Sequence, residues 1–352
     1  MLLLFITAFL SLLGLTMVLS ASSVSSITRT GSPWGEFRSQ LMWLGLGAVA
    51  LLTTSFLDHR WLRRLTLPAL LATLGLLLAV LTPLGVNVNG AQRWLRLGAI
   101  QFQPSELAKL TLVLYAAHVL ARTDRKEENQ RVVPILVVLV VYGALILAQP
   151  NLGTAIIVFA IGLSILYAAG VRLWVLAIIG SVSVIGASML AYYADYRRAR
   201  LLSFMDPWAD PLDGGWQTIQ SLVSVANGGV TGVGIGASRG KYGYLPEAHN
   251  DFVFAVTAEE FGLVGASVVV LAFVTFGLAA LLIARRADRF GSLLVVGIAT
   301  WVLIQAFINV GAVLGVMPIT GVPLPFMSAG GTSLVTTLAA VGVVINVART
   351  SK

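Results

Sequence analysis

Stretches of about twenty uncharged apolar residues, each enough to cross roughly 30 Å of hydrocarbon, recur along this chain, and no other feature constrains its fold as tightly. Ten such runs lie near residues 2–23, 39–57, 65–84, 104–121, 132–149, 154–170, 173–193, 252–284, 291–315 and 332–348. Hydrocarbon offers no partner to backbone N–H and C=O groups, so each run satisfies them as a helix. The expected fold class is an all-α polytopic membrane protein of about ten transmembrane helices, with one long loop, 194–251, between the seventh and eighth. Of the 352 residues, 57% are hydrophobic and 11% charged, too little polar surface to cover a soluble globule. No interval remains for an appended soluble domain, so 1–352 reads as a single integral membrane domain. An alternative for Met1 to Ser20 is a signal peptide cleaved near Ser20-Ala21-Ser22, but no basic segment precedes it.

Charge sets the orientation. Loops 58–64, 122–131, 170–172 and 285–290, with the C-terminus, hold thirteen Lys and Arg, whereas the short loops of the other side hold Arg29, Arg38, Arg93 and Arg96. Cytoplasmic loops are the positive ones, so both termini are expected in the cytoplasm and loops 85–103 and 194–251 outside. The formal charge of +8 is explained by these flanks and forms no stripe with interleaved aromatics, so nucleic acid is not an expected partner. The chain has no Cys and three scattered His, which removes disulfides, thiolate chemistry and zinc sites from consideration.

Functional information then lies where membrane rules are broken. Glu106 and Lys109 share one face at the start of the fourth helix, just after Pro104, as an ion pair or a site. Glu259 and Glu260 interrupt the eighth span and point about 100° apart, so one is expected at a polar cavity and the other at a cation or protonated, with a purely structural role equally open. The densest polar cluster, Leu245-Pro246-Glu247-Ala248-His249-Asn250-Asp251, opens straight into an apolar helix. Asp251 can cap that helix, but Asn250 can do so too, which leaves Asp251 available as a general base; His249 is its rival.

The remaining outer loop carries Arg197, Arg198, Arg200, Arg239 and Lys241, with Gly228, Gly229, Gly232, Gly234 and Gly236. Cations beside exposed glycine N–H groups suit phosphate oxygens, although a solvated loop face is the plain alternative. Three prolines within Met317 to Phe326 forbid a regular helix, so that stretch is expected to wall the outer pocket.

Five motifs in order resemble the SEDS family of bacterial cell-wall polymerases, the RodA/FtsW-like proteins: Gly90-Ala91-Gln92-Arg93-Trp94, Gln103 to Lys109, Gln149-Pro150-Asn151-Leu152-Gly153-Thr154, Leu245 to Phe254, and Pro323-Leu324-Pro325-Phe326. The resemblance implies a peptidoglycan glycosyltransferase of the bacterial cytoplasmic membrane that joins lipid II into glycan strands for elongation or division. It also implies a class B penicillin-binding protein as partner, besides membrane lipids. Asp251 matches the family's essential acid, Glu106 and Lys109 its charged pair, and Arg93 a basic position of the outer loop. Asn151 and Ala329 depart from it, standing where the family usually has Asp and Tyr.

The expected chemistry is deprotonation of a sugar hydroxyl by Asp251 and its attack on the anomeric carbon of a second lipid-linked unit. Lys109, Arg93, Arg200, Arg239 and Lys241 are the candidates for stabilising the leaving diphosphate, with Glu247 and His249 as further substrate contacts. No cofactor is read from the sequence; a divalent cation could assist, although no paired-carboxylate site is evident. The alternatives are a lipid II flippase, which needs a polar path through both leaflets, and a scaffold that holds the transpeptidase.

Overall fold

The computed structural model describes residues 1–352 apart from Asn89, Ala99, 123–127, Ala194 and Lys352. Arg125 and Lys126 of the basic loop 122–131, and Lys352, thus lie outside the described residues, as do the side chains of Arg60, Arg131 and Arg197.

Every apolar run forms a helix. The chain begins with α1 (Leu2–Thr30), α2 (Gly35–Phe56) and α3 (His59–Val80), then enters a small sheet of β1 (Gly85–Val88), β2 (Ala91–Leu97) and β3 (Ile100–Phe102). It continues through α4 (Pro104–Ala121), α5 (Glu128–Ala148), α6 (Leu152–Ala169) and α7 (Leu173–Tyr193). The long loop follows, then α10 (Val253–Arg286), α11 (Arg289–Val313) and α12 (Gly331–Thr350). Among the described residues α1, α2, α3, α6, α10, α11 and α12 are long and apolar enough to cross a membrane, while α5 and α7 hold shorter apolar stretches. Large apolar side chains stand exposed along these helices, for example Leu52, Leu71, Val182, Leu271 and Leu282, an arrangement that only lipid tolerates.

Loops 85–103 and 194–251 both hold more structure than their irregular sequence suggests. Loop 194–251 contains α8 (Asp195–Met205), α9 (Trp216–Gly228) and two single 3₁₀ turns. Loop 85–103 is the antiparallel sheet β1-β2-β3, with Val86 opposite Trp94, Leu95 opposite Phe102 and a bulge between Val86 and Asn87.

The chain divides into two compact units. The first comprises Met1–Gly45, Ile185–Phe276 and Gln305–Leu334; the second comprises Leu46–Val184, Gly277–Ile304 and Val335–Lys352.

In the second unit α4 is the central element, packed by α3, α5 and α6 and capped by β2. Gly297 lets α11 approach it closely, since a Cβ there would lie 2.7 Å from Ile165 and 3.0 Å from Val113. Tyr142 donates from α5 to the Leu70 carbonyl at 3.2 Å. In the first unit α1 runs against the chain that precedes α12, with Gly14 pressed on the backbone of Phe326 and Met327. Phe326 has φ +67, and Phe273 and Phe276 hold its ring at centroid distances of 6.5 and 5.9 Å.

Candidate functional site

In the first unit three predicted residues, Asp251, His249 and Arg200, meet the proline-rich stretch 317–330. Because α10 starts at Val253, residues 245–252 form a turn that delivers Asp251 two positions ahead of the helix. Glu247 is the knuckle of this turn: at φ +53 its carbonyl accepts the N–H groups of Asn250 (2.9 Å) and Asp251 (3.2 Å). Its carboxylate accepts from Asn250 Nδ2 at 2.5 Å. The Asp251 carboxylate leans on Gly321, with Oδ2 3.5 Å from the point a Cβ would occupy there. Gly321 has φ +71, a conformation that also favours glycine. Arg200 of α8 reaches the same stretch and donates Nη1 to the Ile319 carbonyl at 3.2 Å. A carboxylate and a guanidinium therefore meet one irregular segment two residues apart.

His249 ties the turn to the same wall, its carbonyl accepting from Ala329 N at 3.0 Å. Its ring is buried, and burial pushes the imidazole below its ordinary value of 6.5, against the upward pull of Glu247 and Glu36. Burial thus makes it a poorer base than an exposed histidine. The Lys241 ammonium donates to the Gly236 carbonyl and lies 5.6 Å from the Tyr242 ring. Arg239 exposes its side chain while its backbone N–H is bonded to Glu259.

The glycine-rich loop binds α10 rather than leaving its N–H groups exposed for phosphate. Glu259 accepts from Ser238 Oγ (2.6 Å), Arg239 N (3.1 Å) and Gly240 N (3.4 Å), and Glu260 from Ser20 Oγ (2.5 Å) and Ser238 N (3.4 Å). Both glutamates are buried, with their carboxylates turned to the glycine-rich loop and Ser20. Their position is explained by Gly262, whose φ of 65° and ψ of −164° break α10. The freed carbonyls of Glu259 and Glu260 accept from Val233 (3.0 Å) and Gly234 (3.1 Å), and the freed N–H groups of Leu263 and Val264 donate to Gly229 (2.9 Å) and Val230 (3.2 Å). Cβ atoms at Gly228, Gly232 or Gly262 would overlap the opposite backbone. The glycines serve close approach of chain to chain.

The second unit holds Glu106, Lys109 and Arg93. Lys109 Nζ donates to both oxygens of Glu106 at 2.8 Å, and both residues are almost fully buried. The ammonium also lies 4.8 Å from the ring centroid of Trp301, on α11. Glu106 sits in the first turn of α4, where the helix dipole favours an anion. Arg93, on β2, donates Nε to the Gln149 carbonyl (3.1 Å) and Nη2 to that of Pro150 (2.5 Å), closing the exposed end of α5. Asn151 caps α6 by accepting from Thr154 N at 3.2 Å, a task an amide oxygen performs as well as a carboxylate.

Two buried amides escaped the sequence reading. Gln305 and Asn309 stand one turn apart on α11 in the first unit; Gln305 donates to the Pro323 carbonyl at 2.9 Å, and Asn309 to those of Asp251 (2.8 Å) and Val322 (2.9 Å). Their signal was present, since two amides at i and i+4 in an apolar span break the rule that singled out Glu106 and Lys109. Among the described residues, no group of three or more His, Asp or Glu is arranged to hold a metal.

The family model FTSW_RODA_SPOVE, described as a cell cycle protein, matches residues 1–352. A protein named "Probable peptidoglycan glycosyltransferase FtsW" from Nitrosococcus halophilus (strain Nc4) is 42% identical over 342 residues, 95% of this chain and 88% of that protein. A solved structure described as "Structural coordination of polymerization and crosslinking by a peptidoglycan synthase complex" superposes with a TM-score of 0.81 at 32% identity, covering 99% of this chain and 97% of the other. The crystal structure of Thermus thermophilus rod shape determining protein RodA gives 0.72 at 29% identity, covering 99% and 96%.

Proposed function

Because the chain belongs to the family of cell cycle proteins that FtsW, RodA and SpoVE represent, we propose that it is a peptidoglycan glycosyltransferase, polymerising lipid II into glycan strands at the outer face of the bacterial cytoplasmic membrane. The name of its 42% identical relative supports polymerisation rather than lipid transport. The observation that carries the chemistry is the Asp251 carboxylate resting on Gly321, with Arg200 bound two residues away at Ile319.

In the reaction, a sugar hydroxyl of one lipid-linked unit gives its proton to Asp251 as its oxygen bonds to the anomeric carbon of a second unit. The bond from that carbon to the diphosphate breaks, and undecaprenyl diphosphate leaves with the electron pair. A positioned carboxylate contributes on the order of 10²- to 10⁴-fold as general base. Arg200, Arg239 and Lys241, in the same unit as Asp251, offer charge to the departing diphosphate, and His249 and Glu247 shape the turn that holds the base. Lys109 is matched by Glu106 and Arg93 occupies two carbonyls, so within the second unit these three organise the chain more than they offer charge to a substrate.

The structure described as coordinating polymerization and crosslinking supports a class B penicillin-binding protein as partner. The charge of the short loops supports cytoplasmic termini, with 194–251 outside.

The test is reconstitution in liposomes with lipid II and no other polymerase. Asp251→Asn and Asp251→Ala should fold with near-normal melting temperatures and lose glycan synthesis by about 10²-fold or more. Strands made by both variants at the wild-type rate would end the general-base assignment.

A further inference from the structure

The Asn309 side chain joins the residue carrying the proposed base to the wall that the base faces. Its two amide hydrogens go to the carbonyls of Asp251 (2.8 Å) and Val322 (2.9 Å). Val322 follows Gly321, on which the Asp251 carboxylate rests. The other main-chain group of Asp251, its N–H, donates to Glu247 at 3.2 Å. Both peptide planes of Asp251 are therefore fastened. Asn309 is itself 3% exposed, and α11 holds it one turn after the equally buried Gln305, which fastens the next carbonyl of the wall, that of Pro323.

We propose that Asn309 is a positioning residue for glycan polymerisation: by bridging the Asp251 and Val322 carbonyls it fixes the distance between the base and the surface along which the acceptor hydroxyl approaches. This rests on Asp251 being the general base. The physical reason is geometric, because a misplacement of about 1 Å costs a reaction of this kind on the order of 10²-fold in rate. The bridging amide can be replaced only by a group with two donors at the same place. Serine keeps one donor, alanine keeps none, and aspartate puts a carboxylate against two carbonyl oxygens.

The experiment measures kcat and KM for lipid II, the pH dependence of kcat and the melting temperature for Asn309→Ser, Asn309→Ala and Asn309→Asp in liposomes. Asn346→Ala serves as control: Asn346 clamps the carbonyls of Ser55 (3.0 Å) and Leu57 (2.6 Å) with the same chemistry in the second unit. The expected result is a kcat that falls in the order Ser, Ala, Asp, by about 10- to 100-fold at the end of the series. KM should stay within about twofold, as for an interaction realised only in the transition state, and the acidic limb of the kcat profile should move. The control should lower the melting temperature and leave kcat in place. Wild-type kcat in the Asn309 variants, a loss that merely follows melting temperature as in the control, or failure of all three to fold would overturn the positioning role. Activity in Asp251→Asn would instead overturn the general base, so the two failures are told apart.

Discussion

Lys109 illustrates how a residue's position can be legible in a sequence while its surroundings are not. Its spacing from Glu106 foretold the pair, but no sequence rule foretold that Trp301 would cover the ammonium. With both partners buried, loss of either strands a charge, so Glu106→Gln and Lys109→Met should each lower stability by about 3–5 kcal/mol. The double variant should regain most of it, a non-additivity that thermal unfolding in detergent can measure. His249 gives a prediction in pH. Burial depresses its folded-state pKa below 6.5, so the unfolded chain takes up the proton first as pH falls. Its contribution is complete above that ordinary value and is lost as pH drops through the folded one. The melting temperature of His249→Gln should accordingly decline less than wild type between about pH 7.5 and 5. Asn309 and Gln305 were missed for a plain reason: neutral amides in an apolar run resemble tolerated polar residues until their carbonyl partners, far along the chain, are seen.

At the scale of elements, helices were legible because bilayer thickness dictates run length, and the ten runs matched helices to within a few residues at most ends. The sheet in 85–103 and the helices of 194–251 were not, since short polar elements carry too little periodicity to stand out. Glu259 and Glu260 stood out as acids in the eighth span, but the break at Gly262 two residues later, and the loop that closes on it, left no such mark. The break also predicts what glycine does there. In Gly262→Ala the new methyl would meet the backbone of Val230 and Gly232 at a φ of 65°, so folded protein should be nearly lost in size-exclusion profiles of detergent extracts. Gly75→Ala, inside α3 with open space around it, should fold normally and gain up to about 1 kcal/mol.

For the whole molecule, the absence of cysteine makes orientation directly measurable. A single cysteine at the exposed Tyr244 should react with an impermeant maleimide in intact cells, whereas one at Arg286 should react only after the membrane is opened. The division into two units was invisible in the sequence, because each is assembled from three distant segments. The broken α10 bears on how such a protein is made. Residues 228–240 leave the ribosome before 253–286, so the loop that quenches the four loose peptide groups at Gly262 is already waiting when the helix that needs it is inserted. Reversing that order, as a circular permutant would, leaves a newborn helix with bare polar backbone in oil and nothing yet synthesised to cover it.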